Sequence, residues 1–238
     1  FRPVRIERAW LRVLMRFVAA TLVVSVLLPV VTIVVLSFVE SSSWMVSIYP
    51  QAFSLENYLA IFTRSRVLEP FLNSIVMSLL AALMSLAVAI PAAFLIVKTR
   101  WKVKRGIELL VMLPWAMPAT AIAVNLINAT SSPNIFTLNA VLVGTSVLLP
   151  LAYFIRSLPL VMRTSSLAFQ HLNDTYIDAS RGLGASASQT VGRIILPILS
   201  PWLLAGFLLV FVRSIGEYNL SAFLYTAGNR PVSIAMVN

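Results

Sequence analysis

Long apolar runs alternate with short polar segments along this chain. A membrane-spanning helix needs about 20 consecutive apolar residues, and the first uncharged run, from Phe17 to Val39, has 23. The pattern predicts five spanning helices, over residues 17–39, 71–97, 107–126, 138–155 and 194–212. Most of them contain proline, whose freed carbonyl groups need neighbouring helices or water. We therefore expect a bundle with an internal path and not a simple anchor.

The composition places the chain among integral membrane proteins. Of its 238 residues 59% are hydrophobic and 11% are charged, whereas a soluble domain has about 25% charged residues. Continuous apolar runs, in place of strict alternation, exclude a β-barrel. The predicted fold is an all-α membrane bundle that forms a single domain over residues 1–238. We expect a sixth helix after Asn238.

The basic residues predict the orientation of the bundle. With the N-terminus in the cytoplasm, 14 of the 18 lysines and arginines lie on the cytoplasmic side, as the positive-inside rule requires. They lie in three groups: residues 2–16, residues 98–105 and the segment 156–193, which we expect to be a cytoplasmic loop. This clustering beside spans also argues against a nucleic-acid-binding surface as the reason for the net charge of +10.

Several kinds of chemistry are excluded or disfavoured by what the chain contains. It has no cysteine and one histidine, His171, expected to be a polar loop residue. A thiol nucleophile, a disulfide and a Cys/His metal cluster are therefore not expected. No glycine precedes a lysine, so the phosphate-binding loop of ATPases is absent from the sequence. Asp174 and Asp178, four residues apart, could mimic a catalytic carboxylate pair, but we interpret them as a cap and a docking charge.

Two polar segments predict short helices outside the spans. Ser54 to Phe62 is expected to form a helix with Ser54 as its N-cap. Within the loop 156–193 we expect one helix over 164–172 and a second over 176–183, capped by Asn173 or Asp174. Gly184 should end the second helix in a left-handed conformation. Ser186 or Ser188 should then cap a helix that continues into the last span.

The segment 175–197 carries a specific spacing. Asp178-Ala179-Ser180 is followed by three residues, a glycine, nine residues, an isoleucine, one residue and Leu196-Pro197. This pattern resembles the Glu-Ala-Ala loop of the permeases of type I bacterial ABC importers, which are binding-protein-dependent components of the inner membrane. The chain departs from that pattern with Asp178 in place of Glu and with Ser180 in place of the second Ala. The Asp keeps the charge and the Ser keeps the small volume.

The resemblance implies a permease subunit, not an enzyme, in the bacterial inner membrane. It would form a solute path with a second permease half and receive solute from a periplasmic binding protein. Two ABC ATPase subunits would bind ATP and Mg²⁺, so this chain itself needs no cofactor or metal. The ATPase-docking segment would be Tyr176, Ile177, Asp178, Ala179, Ser180, Arg181, Gly182, Leu183 and Gly184. Leu196 and Pro197 would form a coupling hinge.

The path and the solute are less constrained by the sequence. Arg213 and Glu217 lie four residues apart, so they can pair if they are helical, and with Asn219 they are candidates for the path or its gate. The C-terminal segment resembles the branch of the family that carries ferric iron, polyamines or phosphonates, and ferric iron is the first expectation. The main alternative is a secondary transporter or channel fragment that works without an ATPase. It would need ionisable residues at mid-span.

Overall fold

The computed structural model describes residues 8–40, 52–99 and 102–237. These residues are mainly helical, which confirms the all-α fold class. The chain divides into two compact units, Phe1–Ser65 and Arg66–Asn238. Among the described helices three are long and apolar enough to cross a membrane, or four if one bent pair is counted as a single span.

The first unit contains α1, Ala9–Ser37, and α2, Glu56–Thr63. Helix α1 begins before the predicted residue 17, because the arginines ahead of the apolar run are good helix formers. Asn57 joins the two helices by donating from Nδ2 to the carbonyl oxygens of Ser37 at 3.1 Å and Val39 at 2.9 Å. Ser54 lies one residue before the helix cap, and its Oγ accepts from Glu56 N at 3.0 Å.

The second unit begins with α3, Ser65–Lys98, and this helix is longer than the predicted 71–97. One side of α3 is a buried stripe of small residues, which allows neighbouring helices to approach closely. The stripe includes Ser74, Ser78, Ala81, Ala82, Ser85, Ala89 and Ala93.

The predicted spanning helix over 107–126 is broken in the structure. The structure has α4, Lys104–Ala116, and α5, Ala119–Thr130, with a bend of 110° between them. Pro118 explains the break, because a proline disfavours the helical conformation of the residue before it. Met117 is accordingly extended, with φ −100° and ψ 137°.

The prediction for 138–155 is wrong at both ends. Leu138 and Asn139 have positive φ angles of 52° and 59°, and helix α6 begins only at Leu148. It then continues to His171, so residues 156–171 are helix and not loop, and the predicted helix 164–172 is the end of α6. Helix α6 is absent from the candidate spans because Arg156, Arg163 and many polar residues lower its hydropathy.

The remaining elements are several short helical segments and the last long helix. Helix α7 is Asp174–Gly182 and α8 is Ala187–Thr190, followed by a π-helix, Val191–Ile195. Helix α9, Leu196–Ile215, continues from the π-helix, so the helical stretch begins before the predicted residue 194. Two short helices, α10, Ser221–Leu224, and α11, Val232–Ala235, end the described chain.

Two buried apolar clusters hold the second unit together. The first lies where α3, α5, α6 and α10 meet and includes Met77, Ile122, Leu149 and Leu220. The second lies where α3, α6 and α9 meet. Helices α3 and α6 both contribute to the two clusters, although α6 is the more polar of the two.

Candidate functional site

Helix α7 has the ends that the sequence predicts. The side chain of Asn173 caps its start by accepting from Thr175 N at 3.0 Å. At its end Gly184 has φ +78°, a conformation that residues with a Cβ rarely adopt. Gly184 N donates to Arg181 O at 2.9 Å and Ala185 N to Ser180 O at 3.1 Å, which is a Schellman motif. Local residue chemistry therefore fixes both ends of α7.

A continuous helical rod connects the segment after α7 to α9. Ser186 caps α8, and Gln189 completes a capping box with it, as the sequence allowed. In the π-helix that follows, Leu196 N donates to Val191 O. Pro197 lies in the first turn of α9 and has no N–H to donate, which favours an irregular turn before it. Leu196 and Pro197 thus lie at the junction of the π-helix and α9.

The nine predicted docking residues divide between two faces of α7. Ser180 is only 3% exposed, and its Oγ lies 2.7 Å from Thr190 Oγ1. Ile177 is half-buried against the apolar cluster of α3, α6 and α9. The other seven are exposed and define the outer face of α7, with Arg181 also lining the space beneath the helix: Tyr176, Asp178, Ala179, Arg181, Gly182, Leu183 and Gly184. Ser180 and Ile177 therefore hold α7 to its own chain, and the prediction that Ser180 lies on an open docking face is wrong.

Lys98 anchors the start of α7 to the end of α3. Its Nζ lies 2.6 Å from Asp174 Oδ1 and donates to Leu172 O at 2.7 Å. The Lys98 side chain is 15% exposed but that of Asp174 is 70% exposed, so solvent screens this ion pair at its carboxylate end. Asp174 is thus an anchoring residue at the first turn, where its charge also favours the helix dipole.

A cavity of about 410 Å³ lies between α7, the end of α3 and the rod. Phe94, Ile177, Val191 and Ile195 give it an apolar lining, and Arg181 lies at its border. The inner side of α7 therefore borders an open pocket, and Thr190, the hydrogen-bond partner of Ser180, lines it as well.

We expect Ser180→Ala to leave the outer face of α7 unchanged. The substitution removes one buried hydrogen bond, which costs about 1 kcal/mol, while Thr190 Oγ1 keeps its bond to Ser186 O at 3.0 Å. Thermal unfolding of the purified protein should show that loss. The affinity of a partner for the outer face should change by no more than about twofold, because the substitution alters none of the exposed side chains of that face. A large loss of partner binding would place Ser180 in the interface.

The second set of predicted residues is found at the other end of α9. Helix α9 ends at Ile215, and Glu217 pairs with Arg156 of α6, with 3.6 Å between Oε2 and Nε. The pair of Arg213 and Glu217, which required both residues to be helical, is not formed, because α9 ends two residues before Glu217. Arg213 is exposed but borders the same small space as Arg156 and Glu217. Asn219 is exposed in the link between α9 and α10.

Arg156 also corrects the predicted charge distribution. It lies 15 residues before His171 on α6, so it is about 22 Å from the α7 end of that helix. It belongs to the Glu217 end of the bundle and not to the predicted cytoplasmic group. His171, expected in a loop, is the last residue of α6, and its ring stacks on Trp202 with 5.1 Å between the centroids.

Hydrogen bonds surround the Arg156–Glu217 pair. Arg156 Nη1 donates to Met117 O at 3.2 Å, at the break between α4 and α5. Glu217 Oε1 accepts from Leu220 N at 3.3 Å. Ser221 Oγ donates to Glu217 O, so its single proton is used and Tyr153 OH donates to Ser221 Oγ at 2.6 Å. Together these bonds join the α4–α5 break to α6, to the end of α9 and to α10.

Sequence reasoning missed three residues of these two sites. Lys98 entered only as one of a group of basic residues, Arg156 was assigned to a cytoplasmic loop, and Thr190 was not considered. A charged residue inside an otherwise apolar stretch, as at Arg156, is a signal for a buried partner. Thr190 gives no such signal, since a threonine in a short helix is ordinary.

A family model described as "Binding-protein-dependent transport system inner membrane component" matches residues 85–236. The chain is 36% identical over 227 residues to the probable ABC transporter permease protein y4fN of Sinorhizobium fredii, covering 95% of this chain and 40% of that protein. It is 26% identical over 188 residues to the ferric transport system permease protein FbpB of Actinobacillus pleuropneumoniae, covering 78% and 27%. The sulfate transport system permease protein CysT of Salmonella typhimurium is 25% identical over 181 residues, covering 74% and 65%.

One solved structure has the same fold. It is described as a bacterial ABC transporter involved in the import of the acidic polysaccharide alginate, and the match has a TM-score of 0.69. The match covers 98% of this chain and 81% of that one, at 16% sequence identity. The chain spans less than half the length of the first two relatives.

Proposed function

Because the chain belongs to the family of binding-protein-dependent transport system inner membrane components, we propose that it is a permease part of an ATP-driven importer. The observation that carries this proposal is the placement of α7. A short helix with an exposed outer face is fixed to the end of α3 and joined through a continuous rod to α9. Force applied to α7 is therefore transmitted to two long helices.

The outer face of α7 is the proposed docking surface for an ATPase subunit. Leu183 is 88% exposed and Tyr176 is 54% exposed, and both provide apolar surface that a partner can bury. Asp178 and Arg181 supply opposite charges that fix the register of the partner. Ala179, Gly182 and Gly184 have little or no side chain, so a partner's backbone can approach closely. Ile177 and Ser180 hold this surface in position from beneath.

The proposed mechanism is alternating access driven by the ATPases. Their closure on ATP displaces α7, and the rod carries the displacement through Leu196 and Pro197 into α9. The π-helix is the place where the rod can bend while it transmits this motion, because π-helical turns occur frequently at functional sites. The bundle then faces outward to take up solute, and it returns after hydrolysis.

The proposed assembly contains a second permease half, two ATPase subunits and a periplasmic solute-binding protein. This chain covers 40% of the length of the relative y4fN. The rest of that relative is long enough to form a second domain of similar size. The proposal places the chain in the inner membrane with α7 in the cytoplasm. The basic residues from Lys98 onward support that orientation, since Lys98 itself contacts the start of α7.

The proposed solute is a small inorganic ion. The named relatives include permeases of ferric, sulfate and molybdenum transport systems, and ferric iron remains the first candidate. The cognate periplasmic binding protein decides among them, because it selects the solute before the permease receives it. Calorimetric titration of that protein with ferric citrate, sulfate and molybdate should give one tight binder. A protein that binds only a large organic solute would contradict the inorganic class.

A carrier that works without an ATPase is the alternative function. The buried pair of Arg156 and Glu217 is the feature that would favour it, because ionisable residues within a bundle often serve ion coupling. The two functions differ in their energy source. Uptake that follows a proton or sodium gradient in vesicles with no nucleotide inside would support the carrier.

Co-purification with an ATPase subunit tests the importer. The chain, solubilised from its host membrane, should bring down an ABC ATPase, and Asp178→Lys should remove most of it. Reversing a charge at an interface typically costs several kcal/mol, which is a loss of at least about a hundredfold in affinity. Glu69→Lys makes the same charge change on an exposed residue near the opposite end of α3 and should retain the ATPase. Equal recovery with both variants would refute docking at α7.

A further inference from the structure

The buried charges at the end of α9 form a two-position latch. We propose that Glu217 pairs with Arg156 when the path is closed and with Arg213 when the path is open. This inference rests on the proposed importer function, because it needs a force on α9. It makes Arg213 a positioning residue, although its side chain is exposed in the structure.

The pair of Glu217 with Arg156, which the proposal assigns to the closed position, is the one present in the structure. The side chains of Arg156 and Glu217 are 20% and 12% exposed. The space that they share with Tyr153, Ser157, Arg213 and Ser214 has no room for a water molecule. Arg156 also donates to Met117 O at the break between α4 and α5. The pair therefore joins the end of α9 to that break and excludes water from the space between them.

The closed position leaves hydrogen-bonding capacity unused. Arg156 Nε and Ser214 Oγ are both buried and have no hydrogen-bond partner. Buried polar atoms of this kind are rare in stable cores, because each one has lost its water without a replacement. Opening the space to water would satisfy both atoms. The ion pair stabilises the closed arrangement, and the missing hydrogen bonds of these two atoms destabilise it. Opposing contributions of this kind are expected for an element with two states.

The second position requires little change in the backbone. Glu217 N donates to Ser214 O at 3.2 Å, three residues back. Gly216 has φ −87° and ψ 4°, which lies near the helical region and not in the left-handed region that ends many helices. Moving the Glu217 N–H bond to the carbonyl of Arg213 would extend α9 to Glu217. In that extended helix Arg213 and Glu217, four residues apart, face each other.

The rod begins just after the docking surface and ends just before Glu217. Residues Ala187–Ile215 form one long helical stretch through the π-helix. A displacement at α7 therefore reaches the last turn of α9, where it would favour the extended helix. Exchange of the Glu217 partner then releases Arg156 and the α4–α5 break from α9.

Labelling of an introduced cysteine tests the latch. The chain has no cysteine, so Ser214→Cys supplies a single thiol inside the closed space. The probe is the small charged reagent MTSET, applied to the complex with its ATPase subunits in lipid nanodiscs. We expect no labelling without nucleotide, because a buried thiol is inert. After trapping with ATP and vanadate we expect complete labelling.

Three further variants, each combined with Ser214→Cys, identify the partners of Glu217. Arg213→Gln removes the second partner, so trapping should no longer produce labelling, and Arg213→Lys should restore it. Glu217→Gln weakens the closed pair, so labelling should occur in both states. Arg66→Gln, an exposed arginine on α3, is the matched control and should behave like the parent. Ser132→Cys, exposed after α5, should be labelled in both states.

The results separate the latch from the importer. Retained ADP in the trapped complex reports a working ATPase. If trapping retains no nucleotide, the importer proposal fails and the latch fails with it. Retained ADP with equal Ser214→Cys labelling in both states, or with labelling only before trapping, refutes the latch alone. Labelling of the Arg213→Gln variant that still depends on nucleotide, as in the parent, would also refute the latch alone.

Discussion

Leu183→Asp should abolish co-purification of the ATPase while the permease itself remains folded. Leu183 follows the last residue of α7 and is 88% exposed. Burying a leucine side chain contributes about 1.5–3 kcal/mol, and an aspartate in its place would bring an unpaired charge into the contact. The combined loss corresponds to at least about a hundredfold in affinity. Pull-down from solubilised membranes, with ATP-dependent uptake in proteoliposomes, measures it.

Leu138→Asp is the matched control for this variant. Leu138 is 90% exposed, about as much as Leu183. It lies before the start of α6, whereas the docking surface follows the other end of that helix. Its φ of 52° is a conformation that aspartate adopts more readily than leucine. This control should retain the ATPase. Recovery of the ATPase with Leu183→Asp would mean that the exposed leucine is not an anchor, and docking would then have to rest on Tyr176 and the charged pair.

Local signals in the sequence were sufficient to predict the caps of α7 and α8. Asn173, Gly184 and Ser186 each act through their own turn of backbone, so their roles as caps do not depend on distant contacts. The spacing from Asp178 to Pro197 likewise identified the family from a short stretch. A window of hydropathy also found most of the long apolar helices, because membrane spans need length and apolar character more than sequence detail.

The errors arise where tertiary contacts or single prolines decide the structure. Pro118 ends α4 inside a long apolar run. Hydropathy averaged over such a run does not reveal the break, because the residues on both sides are apolar. Arg156 was read as a loop residue, although a buried carboxylate 61 positions later in the sequence stabilises it within α6. Ser180 was placed on the docking face because its small size suits either face, and only the contact with Thr190 shows which one it occupies.

Those same tertiary contacts govern the stability of the second unit. Helix α6 carries Arg156 and Glu217 follows the end of α9, and the two helices approach closely at a point where neither has a large side chain. Gly206 of α9 is buried against Thr164 of α6. The hydroxyl of Thr164 is held in place by its bond to Val161 O at 3.0 Å. Small residues at such crossings let membrane helices pack through their backbones.

Gly206→Ala should therefore destabilise the protein although alanine favours helix. A Cβ at this position would collide with Thr164 Oγ1, and overpacking a core costs about 1–3 kcal/mol. The gain in helix propensity, about 1 kcal/mol, offsets only part of that cost. Gly206→Val adds two methyl groups to the same collision and should prevent stable folding. Thermal unfolding in detergent, with retention in gel filtration after heating, provides the measurement.

The double variant Gly206→Ala/Thr164→Ala decides whether the collision is the cause. Removing the Thr164 hydroxyl and methyl leaves that residue's Cβ 3.4 Å from the new methyl group, which is an ordinary contact. Stability should then return to near the parent value, so the two substitutions should be strongly non-additive. Gly106→Ala is the control, because its new Cβ would meet only Val103 Cγ1 at 3.9 Å, and it should be neutral or stabilising. If Gly206→Ala were as benign as Gly106→Ala, α6 and α9 would have to be farther apart than the structure places them, and the reach of Arg156 to Glu217 would be in question as well.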